Sequence, residues 1–215
     1  MGTGKVRLTT LLASIAAVVL VDITVSSLGF YSAYCYCIRL AFVRAIQAAS
    51  VMVVVLIFQK GMPDIGLARA NMAGGIAAGI RWSVVFGGIV SFAGVAVTAF
   101  GIDVRNFFFI RFPGTFYCTA IYIATGVVIA PVCEELLFRG VIYGFFRRYG
   151  VKTGIVVSTV VFALIHAGTA GALPVVQTIG GVLFCLAYEK EKSLFAPIII
   201  HALGNAAIFA LALLR

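Results

Sequence analysis

The sequence predicts an all-α membrane protein, a polytopic transmembrane bundle of about seven spans, with six to eight compatible with the pattern. Three observations carry that expectation. Of 215 residues, 63% are hydrophobic and only 11% are charged, a balance that belongs to lipid-embedded chains rather than soluble cores. The apolar residues fall in long runs, several of them near the roughly 20 residues that one bilayer crossing needs. The basic residues stand singly or in small groups, mostly between those runs, and build no basic stripe or arm. The net charge of +9 therefore reads as topology signals facing anionic lipid, and a nucleic-acid partner is not expected.

A single integral membrane domain over 1–215 accounts for the whole chain. Lys5 and Arg7 precede a first apolar run, 11–30. It is long enough to span and lacks a small-residue cleavage site, so a retained helix is expected rather than a signal peptide. Arg39 and Arg44 are read as preceding a second run that ends at Phe58, where Gly61 and Pro63 stop the helix. Residues 64–81 are milder, rich in Ala and Gly, and are expected to lie along the interface. Their Gly75 and Gly79 form a GxxxG that weakly signals helix contact. A third span is expected over 82–101. It is followed by a loop at Asp103–Asn106 and by Phe107, Phe108, Phe109 and Phe112, which suit a membrane–water boundary.

From Phe116 to Phe146 the chain is apolar for longer than one crossing requires, so a tilt or a kink at Pro131 is expected. Arg147, Arg148 and Lys152 close this segment. Further spans are expected over 154–167, 173–188 and 194–214. Lys5, Arg7, Lys60, Arg69, Arg81, Arg147, Arg148, Lys152, Lys190 and Lys192 fall on one side, against Arg39, Arg44, Arg105, Arg111 and Arg215 on the other. This bias favours a cytoplasmic N-terminus. No internal repeat is detectable, which weighs against the inverted-repeat transporter folds. The cysteines (Cys35, Cys37, Cys118, Cys133, Cys185) show no metal-type C-x-x-C spacing and read as small packing residues. Cys35 and Cys37 are placed in an external loop, where their pairing is left open.

One stretch breaks the apolar pattern with charge: Ala130-Pro131-Val132-Cys133-Glu134-Glu135-Leu136-Leu137-Phe138-Arg139-Gly140. On a helix, Glu135 and Arg139 share a face one turn apart, with the acid on the N-terminal side, the better order for an ion pair. Glu134 points about 100° away and has no local partner. An ionised residue at a helix centre costs roughly 2.5–3.5 kcal/mol on a translocon scale, so an unpaired glutamate there marks a functional site by default.

Both histidines of the chain, His166 and His201, also lie inside apolar runs, and Asn205 follows His201 by one turn on the same face. Counted from the nearest cytoplasmic end at about 1.5 Å per residue, Glu134 and His166 both come out at roughly 18 Å. His201 and Asn205 come out at roughly 10 and 16 Å. A lone intramembrane histidine or asparagine is most simply a helix–helix hydrogen bond. Three helices that bring polar groups to similar depth beside an unpaired carboxylate point instead to one site.

Glu134-Glu135-x-x-x-Arg139, Phe162-x-x-x-His166 and His201-x-x-x-Asn205, in that order, resemble the three motifs of the CPBP (ABI) intramembrane proteases, a family that includes the CAAX prenyl endopeptidases of the Ras-converting type. The resemblance is anchored in about 125–210 and places a catalytic core over about 116–214. It implies a glutamic intramembrane endopeptidase in which a glutamate-activated water cleaves a peptide bond. Glu134 would be the base, His166 would hold the water or shuttle its proton, and His201 and Asn205 would donate to the oxyanion. Glu135, Arg139 and Phe162 would support them, the first two as an ion pair that serves structure or catalysis.

No cofactor is expected on this reading. Two histidines and a glutamate are also a catalytic zinc set, so a metal-dependent protease on Glu134, His166 and His201 stands as the alternative. A third reading is a non-enzymatic bacteriocin-immunity or peptide-binding membrane protein. The expected substrate is a membrane-embedded or lipidated protein or peptide, met within the lipid bilayer of a prokaryotic cell membrane.

Overall fold

The computed structural model describes residues 5–27, 33–102, 110–170 and 174–214, with backbone alone at 33–35 and 168–170. Among these residues there is no strand. Seven helical segments follow one another: α1 Leu8–Ser26, α2 Ala33–Phe58, α3 Met72–Ala99, α4 Phe116–Tyr149, α5 Val151–Ala170, α6 Val175–Glu191 and α7 Phe195–Leu213. Five of them, α1 to α4 and α7, are long and apolar enough to cross a membrane, and α5 contains a shorter apolar stretch, Val151–Ala167. The all-helical bundle expected from the sequence is therefore present, each expected span falling on one helix.

Two boundaries differ from the sequence reading. Helix α2 begins before Arg39 and Arg44 rather than after them, so both arginines, and Cys37 with them, sit inside a helix instead of an external loop. Cys37 is a buried free thiol, and the side chain of Cys35 is outside the described residues. The second difference is at 64–81, where no long interfacial segment forms. Two 3-10 turns, Met62–Ile65 and Arg69–Asn71, lead straight into α3 at Met72. Gly61 (φ +130°) and Gly66 (φ +82°) adopt backbone conformations that side-chain-bearing residues rarely adopt, which is how the chain leaves α2 so abruptly. The expected loop at Asp103–Asn106 and Phe107 to Phe109 lie outside the described residues.

Helix α4 is the centre of the bundle. Every residue from Cys133 to Tyr143 is buried, and the main core forms around Leu136, Phe138, Val141 and Tyr143, as expected of a helix that is apolar all round. Valines and isoleucines on α1 and α3, among them Val19, Ile23, Val84 and Ile89, are instead exposed on the outside of the bundle, the face a bilayer would cover.

The expected distortion near Pro131 takes a specific form. Thr125–Ile129 and Leu136–Tyr143 are π turns on either side of the α-helical Ala130–Glu135. Pro131 has no N–H, and its ring would clash with the carbonyl four residues earlier, at Val127. A widened turn at that place relieves the clash.

Close approaches fix the neighbours of α4. A Cβ at Gly79 would lie 2.7 Å from Ile199 Cβ and 2.8 Å from the Ala196 carbonyl. The Gly75/Gly79 motif is thus where α3 lies against α7, as the GxxxG spacing indicated. At the other end of α4, Arg147 Nε and Nη2 donate to Glu189 at 2.6 and 2.7 Å, Lys192 pairs with the same carboxylate, and Arg148 donates to the Val6 carbonyl. The N-terminus and the basic groups after α4 and α6 are therefore gathered at one end of the bundle.

Candidate active site

Helix α4 supplies both acids, and adjacency sends them in different directions. Glu135 is fully buried, and its Oε1 accepts from Arg139 Nη1 at 2.8 Å, the i, i+4 pair expected from the spacing. The same oxygen faces His201 Nδ1 at 2.9 Å. The Arg139 guanidinium is enclosed by aromatic faces, 4.6 Å from the ring centre of Phe162 and 4.9 Å from that of Phe184, which partly replaces the water it has lost. Its Nη2 donates to the Gly181 carbonyl at 3.4 Å. One pair thereby connects α4, α5, α6 and α7.

Glu134 faces the other way, into the gap between α5 and α7, and is 8% exposed. Its Oε2 stands 3.8 Å from His166 Nε2 and 3.8 Å from His201 Nε2. That separation is too long for a direct hydrogen bond, and such a gap is commonly bridged by one water.

The remote ring nitrogens explain why both Nε2 atoms point inward. His166 Nδ1 lies 2.8 Å from the Phe162 carbonyl, which can only accept, so Nδ1 carries a proton there. His201 Nδ1 lies against a carboxylate and is held the same way. In the neutral imidazoles each Nε2 therefore presents a lone pair toward Glu134. His201 is further fixed by stacking on Phe184, centroids 4.7 Å apart and planes at 21°. Phe162 packs on His166 at 4.5 Å and, edge-on, on His201 at 6.0 Å.

Six of the seven residues singled out from sequence thus meet: Glu134, His166 and His201 at the centre, with Glu135, Arg139 and Phe162 behind them. Asn205 is one turn further along α7, and its Nδ2 donates to the Gly126 carbonyl of α4 at 2.7 Å. A Cβ at Gly126 would lie 2.7 Å from the Phe209 ring, so α7 reaches this carbonyl only because residue 126 has no side chain. Among the described residues no three His, Cys, Asp or Glu side chains converge as a metal-binding group.

Sequence reasoning missed Phe184, the Gly126 carbonyl, and the pair behind Glu134 formed by Cys133 Sγ and Gln47 Oε1 at 3.7 Å. A phenylalanine in an apolar helix and a backbone carbonyl carry no distinguishing signal. Gln47 did carry one, as a lone amide in an apolar run.

The model of a family described as "Type II CAAX prenyl endopeptidase Rce1-like" matches residues 116–207, the span that holds all of these groups. Curated relatives match in sequence, two of them as follows. UPF0177 protein YaiH of Lactococcus lactis is 35% identical over 79 residues, 37% of this chain and 32% of the relative. The membrane-embedded CAAX protease MroQ of Staphylococcus aureus is 37% identical over 95 residues, 41% of this chain and 38% of the relative. The matches span about a third of the length of these relatives. No solved structure matches the chain significantly. Over residues 116–207, the region that carries the site, this helical membrane protein is similar to the Rce1-like type II CAAX prenyl endopeptidases.

Proposed function

We propose that the chain is an intramembrane endopeptidase that hydrolyses a peptide bond of a membrane-associated substrate with a water activated by Glu134. One observation carries the reading: a nearly buried carboxylate faces two imidazole Nε2 atoms at equal distances of 3.8 Å. A water in that gap donates one proton to Glu134 and is oriented by a histidine lone pair. Its oxygen attacks the substrate carbonyl carbon while Glu134 takes the proton. The carbonyl π electrons move onto oxygen, giving an oxyanion. Collapse of the tetrahedral species breaks the C–N bond, and the proton held by Glu134 passes, directly or through His166, to the departing amine.

With Nδ1 anchored on Glu135, His201 contributes when both ring nitrogens carry protons, its Nε2–H then donating to the oxyanion. Asn205 spends one N–H on Gly126 and keeps the second for the same oxygen. The substrate class that fits is a lipidated or membrane-embedded peptide, and the bacterial origin of the relatives supports a prokaryotic cell membrane as the place.

The test is Glu134→Gln in the purified full chain, assayed on membrane-anchored reporter peptides, with metal content measured and activity followed after exhaustive chelation. General-base catalysis is typically worth about 10²–10⁴-fold, so activity should fall at least that far while folding is kept. Retention of more than about a tenth of the activity removes Glu134 as the base. Bound zinc together with loss of activity on chelation replaces the water-activating carboxylate by the metal-dependent alternative.

A further inference from the structure

Between the end of α1 and the beginning of α2 lies a cavity of about 140 Å³, lined by Asp22, Tyr36, Arg39 and Arg44 over apolar walls that include Val25 and Val43. Both arginines fall inside the apolar stretch Tyr36–Phe58, Arg44 about 12 Å along the helix from Tyr36. Arginines at that depth are expected to be paired. Among the described residues, however, neither has a carboxylate within ion-pair distance. Arg44 Nη1 donates to Gln47 Oε1 at 3.0 Å, and Arg39 lies 5.5 Å from the Tyr36 ring centre.

Gln47 is itself fully buried and held by the Val18 carbonyl and the Cys133 thiol, so Arg44 is fixed from behind rather than swinging freely. The rim is open to the outside of the bundle, where Asp22, Ile23 and Tyr36 are exposed. Two cations and one anion at the rim of a half-polar, half-apolar cavity are complementary to a group that carries an anion and, beside it, a hydrogen-bond donor.

We propose that this cavity binds the headgroup of a membrane phospholipid, its phosphate held by Arg39 and Arg44 and a donating head, an ethanolamine ammonium or a glycerol hydroxyl, turned toward Asp22. A phosphodiester has enough oxygens to serve two guanidinium groups at once, and its acyl chains continue along the apolar outer surface of α1 and α2. A peptide carboxylate fits less well, because the donor beside its charge is a backbone amide rather than an ammonium or hydroxyl free to turn toward Asp22. None of the residues that line it belongs to the Glu134 site.

The experiment is thermal unfolding of the delipidated full chain in detergent, titrated with phosphatidylethanolamine, phosphatidylglycerol, phosphatidylcholine, diacylglycerol, inorganic phosphate, or a short N-acetylated peptide with a free carboxylate. It reads stabilisation, not proteolysis, so its outcome is independent of the proposed enzymatic activity. Phosphatidylethanolamine and phosphatidylglycerol should raise the midpoint, phosphatidylcholine less, and diacylglycerol not at all.

Arg44→Gln and Arg39→Gln should each weaken the apparent lipid affinity roughly tenfold or more. Asp22→Asn should remove the preference over phosphatidylcholine while keeping the response to phosphate-bearing lipids. If Arg44→Gln does not fold, Arg39→Gln and Asp22→Asn decide. The proposal is overturned if diacylglycerol stabilises as well as the phospholipids, or if the folded arginine variants respond like the parent. It is also overturned if inorganic phosphate or the peptide acid reproduces the whole effect.

Discussion

Asn205 is the residue at which two roles compete. Its amide bridges α7 to the Gly126 carbonyl, and its second N–H is the one that the proposed mechanism offers to the reacting oxygen. Asn205→Ala should therefore lower kcat by roughly 10²–10³ with little change in KM, because a bond that strengthens only in the transition state is lost. Asn205→Asp should be at least as damaging, since a carboxylate cannot donate to Gly126 or to an oxyanion. Kinetics alongside metal analysis check this pair, and an active, zinc-loaded Asn205→Asp protein would sink the oxyanion role. Arg139 is different, because it touches Glu135 and three aromatic rings but not Glu134. Arg139→Leu leaves Glu135 charged or forces it to protonate in a fully buried place, and breaking such a pair costs about 3–5 kcal/mol. Thermal unfolding in detergent should show that loss, and an unchanged midpoint with lost activity would move Arg139 into the chemical step.

At the scale of the element, α4 holds the acids but the placement of α7 decides whether His201 reaches them. That placement depends on the contact at Gly79, whose neighbours Ala196 and Ile199 are on α7 just ahead of His201. Gly79→Val would force the two helices apart, and such overpacking costs about 1–3 kcal/mol. Gly88 lies further along α3 with nothing near it, so Gly88→Val should leave stability and activity almost unchanged. Equal effects of the two substitutions, read by unfolding midpoint and turnover, would mean that α3 does not support the site. The two π turns of α4 fit the same picture, since they flank the Ala130–Glu135 segment, and the first of them contains Gly126, whose carbonyl accepts from Asn205.

At the scale of the whole molecule, the gathering of Val6, Arg147, Arg148, Glu189 and Lys192 at one end gives the bundle a basic pole. With the excess of lysine and arginine around it, that pole is the expected cytoplasmic side. An odd number of crossings then puts Lys5 and Leu213 on opposite faces. Reporters active on only one side of the membrane, fused in turn to each terminus, should respond in opposite ways. The same response at both ends would require an even number of crossings and a revised helix count.

What the sequence determined by itself is local or statistical. The Glu135–Arg139 pair follows from 3.6 residues per turn and needs no partner helix, and the runs of hydropathy placed the seven helices because a bilayer demands them. The equal depths of Glu134 and His166 were legible for the same reason, since rise per residue is fixed. Lateral contact was not, because apolar surfaces in lipid carry little information about which face meets which neighbour. That His201 shares Glu135 with Arg139, that Asn205 finds Gly126, and that Gln47 reaches the Val18 carbonyl were decided only by tertiary packing. Such contacts join residues up to 79 positions apart, and they depend on where a missing side chain lets two backbones approach, a property of the assembled bundle rather than of any segment.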